Sequence, residues 1–322
     1  ANFGIPDLFL EKYIPRARHI EVQVLLDGHG HGIHLGEREC SVQRRHQKLI
    51  EESPSPVVDK DLREEIGAIA VRGLREIGYR NAGTVEFLYV DGRFTFNEVN
   101  ARLQVEHPVT EMTTGLDLVE LQLRIAAGEA IPFGQDDVVF RGHAMECRIN
   151  AEDPRLNFAP GPGRILEYRE PSGPGVRVDA GVSAGSDVSE HYDPLIAKLI
   201  IHAESRGATI TGMGRALRTY RVLGVPTTIP FHRVMLRDSS FQTGRMWTTM
   251  ATDLGILARL AGASPPPDHV AALALAIAAR PHVAEVLAER RTLRRPSVSR
   301  WAHEGRTELL GGYDAISARR QR

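Results

Sequence analysis

Cysteine is nearly missing from this chain. Cys40 and Cys147 are its only two and form no Cys-x-x-Cys pair, which argues against a disulfide framework and a thiolate zinc site. A reducing compartment, the cytoplasm, is the expectation. Lysine is almost as scarce: Lys12, Lys48, Lys60 and Lys198 are the only lysines among 40 cationic residues, so the position of each carries information. A formal net charge of −1 leaves no overall basic field, which excludes nucleic acid as an expected partner. Long apolar runs are lacking too. The Ala-rich stretch from Val270 to Ala279 is bounded by Asp268 and Arg280, so no membrane span is expected. The sequence opens at Ala1 without an initiator Met or a basic-then-apolar leader, a pattern that reads as cut rather than processed. What is present is 42% apolar content over 322 residues, sufficient for two domains and an appendage.

Periodicity gives a mixed α+β order. His19–Leu26 suits a strand, and Asp27-Gly28 with Gly30 and Gly32 supplies turn positions before a second strand at Ile33–Leu35. Asp59 is placed to cap a helix whose apolar positions Leu62, Ile66, Ile69, Ala70, Leu74 and Ile77 keep a 3.6 period up to Gly78. Strands Thr84–Val90 and Arg93–Val99 flank Asp91-Gly92, and one helix is expected over roughly Thr113–Ala127. A boundary falls near 133. Beyond it, Ala144–Ile149, Arg164–Tyr168, Val176–Val178 and Leu195–His202 read as strands, and Ala208–Val222 and His232–Leu236 as helices. Ala263-Ser264-Pro265-Pro266-Pro267 reads as a linker, giving expected units 1–133, 134–250 and a 251–322 linker and extension.

The Asp91-Gly92 hairpin carries the first chemical signal. With Asp91-Gly92-Arg93 as a three-residue loop, Val90 faces Phe94, Leu88 faces Phe96 and Glu86 faces Glu98. Two like charges side by side on a sheet destabilise it unless neutralised, which points to a divalent cation. Asn100, two residues on, shares that face and adds a third oxygen of the hard kind Mg²⁺ prefers. A solvated polar face is the alternative, and register decides between them, since a two-residue loop shifts the pairing.

Three blocks then carry a resemblance. Glu98-Val99-Asn100-Ala101-Arg102-Leu103-Gln104-Val105-Glu106-His107-Pro108 is similar to the E-x-N-x-R-x-Q-V-E-H-P signature of biotin carboxylases. Glu39-Cys40-Ser41-Val42-Gln43-Arg44-Arg45-His46-Gln47-Lys48 and Met145-Glu146-Cys147-Arg148-Ile149-Asn150-Ala151-Glu152-Asp153-Pro154 resemble two further segments of that family, in family order. Tyr192-Asp193-Pro194-Leu195-Ile196-Ala197-Lys198-Leu199 resembles a fourth, and the similarity runs from Ala1 to about Gly244.

The resemblance implies the C-terminal portion of an ATP-grasp domain followed by a biotin carboxylase C-terminal domain, with the N-terminal α/β domain absent. It implies Glu86, Glu98 and Asn100 as ligands of Mg²⁺ or Mn²⁺, in agreement with the hairpin argument. Glu11, Lys12 and Ile14 match the hinge that holds adenine, and His19, Gln43 and His46 match residues around ATP. Lys48, Arg102, Gln104 and the backbone of Val105 match the bicarbonate-binding set, with Glu106 as base and Arg148 as the group that steadies the ureido oxygen of biotin. Biotin would ride on a separate carrier protein or domain, with a carboxyltransferase as second partner and a homodimer as the intact form. The final acceptor is left open among acetyl-CoA, propionyl-CoA and pyruvate. Because a glycine-rich phosphate loop and upstream nucleotide-binding lysines precede these blocks in the family, this chain alone is expected to be inactive.

Other features are weaker. His29, His31 and His34 read as turn residues rather than metal ligands, given the glycines among them. His191-Tyr192-Asp193 is expected to pack and hydrogen-bond beside a buried strand, and Arg148 has an alternative as an edge-strand ion pair with Glu146 or Glu152. Two alternative functions stay open: a carbamoyl-phosphate synthetase type of ligase, and a non-catalytic assembly subunit.

Overall fold

Strand β1 (Arg18–Leu26) alternates: Ile20, Val22, Val24 and Leu26 join one apolar cluster, while His19, Glu21 and Gln23 point to the opposite face. The structure, a computed structural model, describes residues 10–261. The linker and extension expected beyond Gly262, and the apolar stretch at Val270, lie outside the described residues. Helix α1 (Lys60–Glu76) covers the apolar face of β1, its N-terminus capped by Asp59, which accepts a bond from Leu62 N at 2.9 Å. Ile66, Ala70, Val71 and Leu74 form its buried stripe. Truncating a buried leucine such as Leu74 to alanine costs about 2–5 kcal/mol.

Seven more strands complete one antiparallel sheet: β2 (Gly32–Arg44), β3 (Gln47–Ser53), β4 (Asn81–Val90), β5 (Arg93–Asn100), β6 (His143–Asn150), β7 (Val176–Ala180) and β8 (Leu195–Ala203). Their order is β7-β8-β6-β3-β2-β1-β4-β5. Pairing of β3 with β6 carries the sheet across position 133, so the two sequence blocks share one sheet. Helix α2 (His107–Thr114) packs against β6, and α3 (Leu118–Ala126) seals a small core with Leu25, Ile33 and Leu35. Helices α4 (Arg206–Thr219) and α5 (Ile229–Met235) contribute to the largest core, with Leu199, Ile201, Met213 and Phe231.

Several boundaries differ from expectation for physical reasons. The strand expected to stop at Leu35 continues to Arg44, and β3 returns after a two-residue turn in which Arg45 and His46 take φ 49° and 64°. Neither residue is glycine, so the turn carries no obvious sequence signal. The single helix expected over Thr113–Ala127 is two: Gly115 at φ 75° ends α2, and the Asp117 carboxylate caps α3 by accepting from Glu120 N. Arg164–Tyr168 is split into short strands at Gly163–Arg164 and Glu167–Arg169, and the latter pairs with Arg221–Leu223, which removes the end of the expected Ala208–Val222 helix.

His34 is not a turn residue. It lies on β2, buried, with Nε2 3.3 Å from Glu64 Oε2 of α1. His29 and His31 do occupy the turn, where Asp27 Oδ1 accepts from both backbone amides. His191-Tyr192-Asp193 does not pack: all three are exposed, Tyr192 at 82%, and Asp193 only accepts from Leu195 N. No helix among the described residues is long and apolar enough to cross a membrane.

Candidate active site

Cross-strand register builds the site as two rows. On the sheet face away from α1, Glu98 of β5 pairs with Glu86 of β4, Glu86 with Glu21 of β1, and Glu21 with Arg38 of β2. Three carboxylates thus stand side by side, a repulsive arrangement on its own. In the second row, Arg148 of β6 pairs with Lys198 of β8, which pairs with Asp179 of β7. The Ala101–Glu106 segment, which joins β5 to α2, bonds to both rows: Gln104 to Arg38 and Glu86, Glu106 to Arg148, and the Val105 carbonyl to Lys198.

The Glu86–Glu98 pairing arises differently from the expected route. Asp91 and Gly92, at φ 49° and 80°, form a two-residue turn, so Val90 faces Arg93 and Leu88 faces Thr95. A bulge at Asn97 then inserts one residue and restores Glu86 opposite Glu98. The two carboxylates converge: Asn100 Nδ2 donates to Glu86 Oε1 at 3.0 Å and to Glu98 Oε1 at 3.3 Å. Asn100 therefore does not present its oxygen to the acid pair here, as expected for a third ligand. Its Oδ1 accepts from Arg102 at 3.2 Å, and rotating the amide would exchange the two roles. The Glu86 and Glu98 oxygens form a hard donor set suited to Mg²⁺ or Mn²⁺.

Lys48, near the start of β3, brings its ammonium into the acid row. Its Nζ donates to Glu86 Oε1 at 2.9 Å, to Glu106 Oε1 at 2.6 Å and to Glu21 Oε2. Burial alone would lower the Lys48 pKa, but Glu21, Glu106 and Glu86 raise it, so the ammonium stays charged. Burial likewise works against a charged His19, yet Glu21 and Glu86 lift its pKa to about 9. Its Nε2 lies 3.0 Å from Glu86 Oε2 as an ion pair without hydrogen-bond alignment. Glu86, despite burial, is held down to about 2 by His19 and Lys48. Gln104 Nε2 adds another bond to Glu86 Oε1, at 2.8 Å.

Glu106 is held at both oxygens. Oε1 accepts from Lys48, and Oε2 accepts from Arg148 NH2 at 2.9 Å. Arg148 Nε donates to Glu51 Oε1 at 2.5 Å, so its ion-pair partners are Glu51 and Glu106, not Glu146 or Glu152. Glu51 is wholly buried; burial and the nearby Glu106 push its carboxyl up to about 7 against the pull of Arg148. Glu146 faces Glu51 across the ladder, and burial together with Glu51 drives its carboxyl well above the usual range.

All fifteen residues singled out from the sequence line one cleft of about 670 Å³. Glu11, Lys12 and Ile14 line it together with His19, Gln43 and His46; Glu98 and Arg102 are exposed and Asn100 is half-buried. Three supporting residues were not anticipated: Glu21, Arg38 and Glu51. Arg38 has no exposed surface and spends all five of its N–H donors on Glu21, Gln23, Thr110, Thr84 and Gln104. Glu21 had one available signal, its place two residues after His19 on the same strand face.

Two known families match. One described as "Carbamoyl-phosphate synthase L chain, ATP binding domain" covers residues 1–133, and "Biotin carboxylase C-terminal domain" covers 146–252. One subunit of the pyruvate carboxylase of Methanothermobacter thermautotrophicus is 54% identical over 246 residues, 76% of this chain and 50% of that protein. A biotin carboxylase of Nostoc sp. is 51% identical over 255 residues, 79% of this chain and 57% of that protein. Among solved structures, the biotin carboxylase domain dimer of Hydrogenobacter thermophilus 2-oxoglutarate carboxylase, in complex with MgADP, ADP and bicarbonate, has a TM-score of 0.75 at 47% identity. That similarity covers 77% of this chain and 55% of the other. The chain spans about half the length of the curated relatives it matches. Sequence blocks, sheet and relatives agree that the chain belongs to the biotin carboxylase family.

Proposed function

We propose that this chain supplies the bicarbonate- and biotin-handling part of a biotin carboxylase, which carboxylates carrier-borne biotin at the expense of ATP. The observation that carries this reading is the placement of Glu106, a buried carboxylate gripped by Lys48 on one oxygen and Arg148 on the other. Bicarbonate is an anion that must lose a proton as its oxygen attacks the γ-phosphorus of ATP, and it needs cations and a base in reach. Lys48 and Arg102 supply the charge, Gln104 and the Val105 amide supply donors, and Glu106 takes the proton as ADP departs. The resulting carboxyphosphate breaks to CO₂ and phosphate. Phosphate removes the proton from biotin N1′, which attacks CO₂ while Arg148 stabilises charge growing on the ureido oxygen.

Glu86 and Glu98 would hold Mg²⁺ or Mn²⁺, with Asn100 as a third ligand after its amide turns; the ion would neutralise phosphate charge during transfer. Glu11, Lys12 and Ile14, with His19, Gln43 and His46, would bind the nucleotide. A biotin carboxyl carrier, a carboxyltransferase and a second copy of the enzyme are the partners this reading requires. A carbamoyl-phosphate synthetase reading shares the ATP-binding family but gives no account of the match over 146–252.

The test is bicarbonate-dependent ADP release, with and without free biotin, by the native gene product that contains this chain. Biotin-stimulated turnover that Glu106→Gln lowers by roughly a hundredfold supports the reading. Turnover without bicarbonate, or indifference to biotin, refutes it.

A further inference from the structure

The fourth sequence block contains one of the rare lysines, and the chemistry proposed above gives it no role. Lys198 lies on β8, directly across the ladder from Arg148. Both side chains leave the same sheet face and both reach the 104–106 segment. Arg148 binds the Glu106 carboxylate, whereas Lys198 Nζ donates to the Val105 carbonyl oxygen at 3.0 Å. The lysine side chain is 13% exposed, and its second partner, Asp179 Oδ2, lies 3.3 Å away. Asp179 is itself fixed by a two-pronged contact from Arg177, at 2.8 and 2.9 Å, and Arg177 also binds Glu111 of α2 at 2.7 Å. The ammonium therefore has a defined position rather than the freedom of a surface lysine.

From this geometry we infer that Lys198 is a positioning residue for bicarbonate, holding the Val105 peptide so that its amide faces the anion. This inference rests on the proposed function, which gives the Val105 amide its ligand. The carbonyl and amide of Val105 belong to one residue with only two soft torsions between them, so anchoring the carbonyl limits where the amide can point. A charged donor is suited to this task, because bonds to ionised groups are stronger than neutral ones. Its positive charge also favours an anion close by. None of the residues in this set of contacts is among those matched to the nucleotide, Glu11, Lys12, Ile14, His19, Gln43 and His46.

The experiment compares Lys198→Met, Lys198→Gln and Lys198→Arg with the unaltered native gene product in bicarbonate-dependent ATP hydrolysis, each at varied bicarbonate and varied ATP. Lys198→Met should raise KM for bicarbonate about tenfold, the effect of losing a bond to a charged group. KM for ATP, and kcat at saturating bicarbonate, should stay within about threefold. Lys198→Arg should restore bicarbonate affinity, and Lys198→Gln, which keeps a donor without the charge, should fall between the two. Lys198→Gln also serves as the readout should Lys198→Met fail to fold. Unchanged bicarbonate KM in Lys198→Met, or in Lys198→Gln where it alone folds, overturns the inference and leaves the proposed function standing. A parallel loss of kcat and of affinity for both substrates, unrelieved by arginine, also overturns it by assigning Lys198 to general stability. An unaltered protein with no bicarbonate-dependent hydrolysis removes the proposed function and this inference together.

Discussion

Replacing Arg148 with alanine in the native gene product tests whether its guanidinium acts in catalysis or only pairs charges. The side chain is 16% exposed, and its partners Glu51 and Glu106 are 0% and 2% exposed, so the weak energetics of surface ion pairs do not apply. Breaking a buried pair costs about 3–5 kcal/mol when the orphaned charge stays ionised. Glu106 keeps Lys48 as a partner, and Glu51, with its carboxyl already at about 7, can take a proton, so the stability loss at neutral pH falls at the lower end. The catalytic loss is separate. Removing a positioned donor to developing charge costs about 3 kcal/mol, or roughly a hundredfold in rate. Free-biotin carboxylation and ATP affinity should be measured at one pH, alongside a denaturant melt to count folded protein. The expected result is a carboxylation rate down roughly a hundredfold with ATP affinity unchanged. A rate within about threefold of the parent, only about 0.65 kcal/mol, would refute the catalytic role and leave Arg148 as a structural ion pair.

If Glu98 holds the cation as proposed, Glu98→Gln should raise the Mg²⁺ concentration for half-maximal activity at least about tenfold with little change in melting, because Glu98 is exposed. A magnesium titration of both proteins checks this. Lys48→Met leaves Glu21, Glu86 and Glu106 without their shared cation and should destabilise the fold by about 3 kcal/mol near neutral pH. Since Glu86 is depressed to about 2, its share of that loss should be complete above about pH 4.5 and shrink as pH falls toward 2; an equal loss across that range in urea melts would contradict it. Glu51 is the opposite case. An acid raised to about 7 on folding lowers stability progressively as pH rises from about 4.5 to 7, so the Glu51→Gln protein should gain on wild type across that window, by on the order of 3 kcal/mol. Parallel pH profiles for the two proteins would refute the raised carboxyl.

The sequence by itself determined the family, the mixed α+β character and the membership of the cleft. Contiguous blocks such as Glu98 to Pro108 keep neighbouring side chains at fixed spacing along one strand and its exit, so local order was enough to place Asn100, Arg102, Gln104 and Glu106 together. The cap at Asp59 and the Ile66, Ala70 and Leu74 stripe of α1 were legible for the same reason, since both act within a few residues, whereas Ile69 and Ile77, expected in that stripe, are exposed. Tertiary structure decided which charges meet. Glu86 faces Glu98 only because a two-residue turn and a bulge at Asn97 offset one another, and neither follows from alternation. The turn at Arg45-His46, built without glycine, was equally hidden, and with it the return of β3 that carries Lys48 into the cleft and Glu51 to Arg148. Glu21, Arg38 and Glu51 are charged residues whose burial no local pattern marks. They are buried because residues distant in sequence supply their partners, Lys48 for Glu21, Gln104 for Arg38 and Arg148 for Glu51, a compensation of charge that no local pattern encodes.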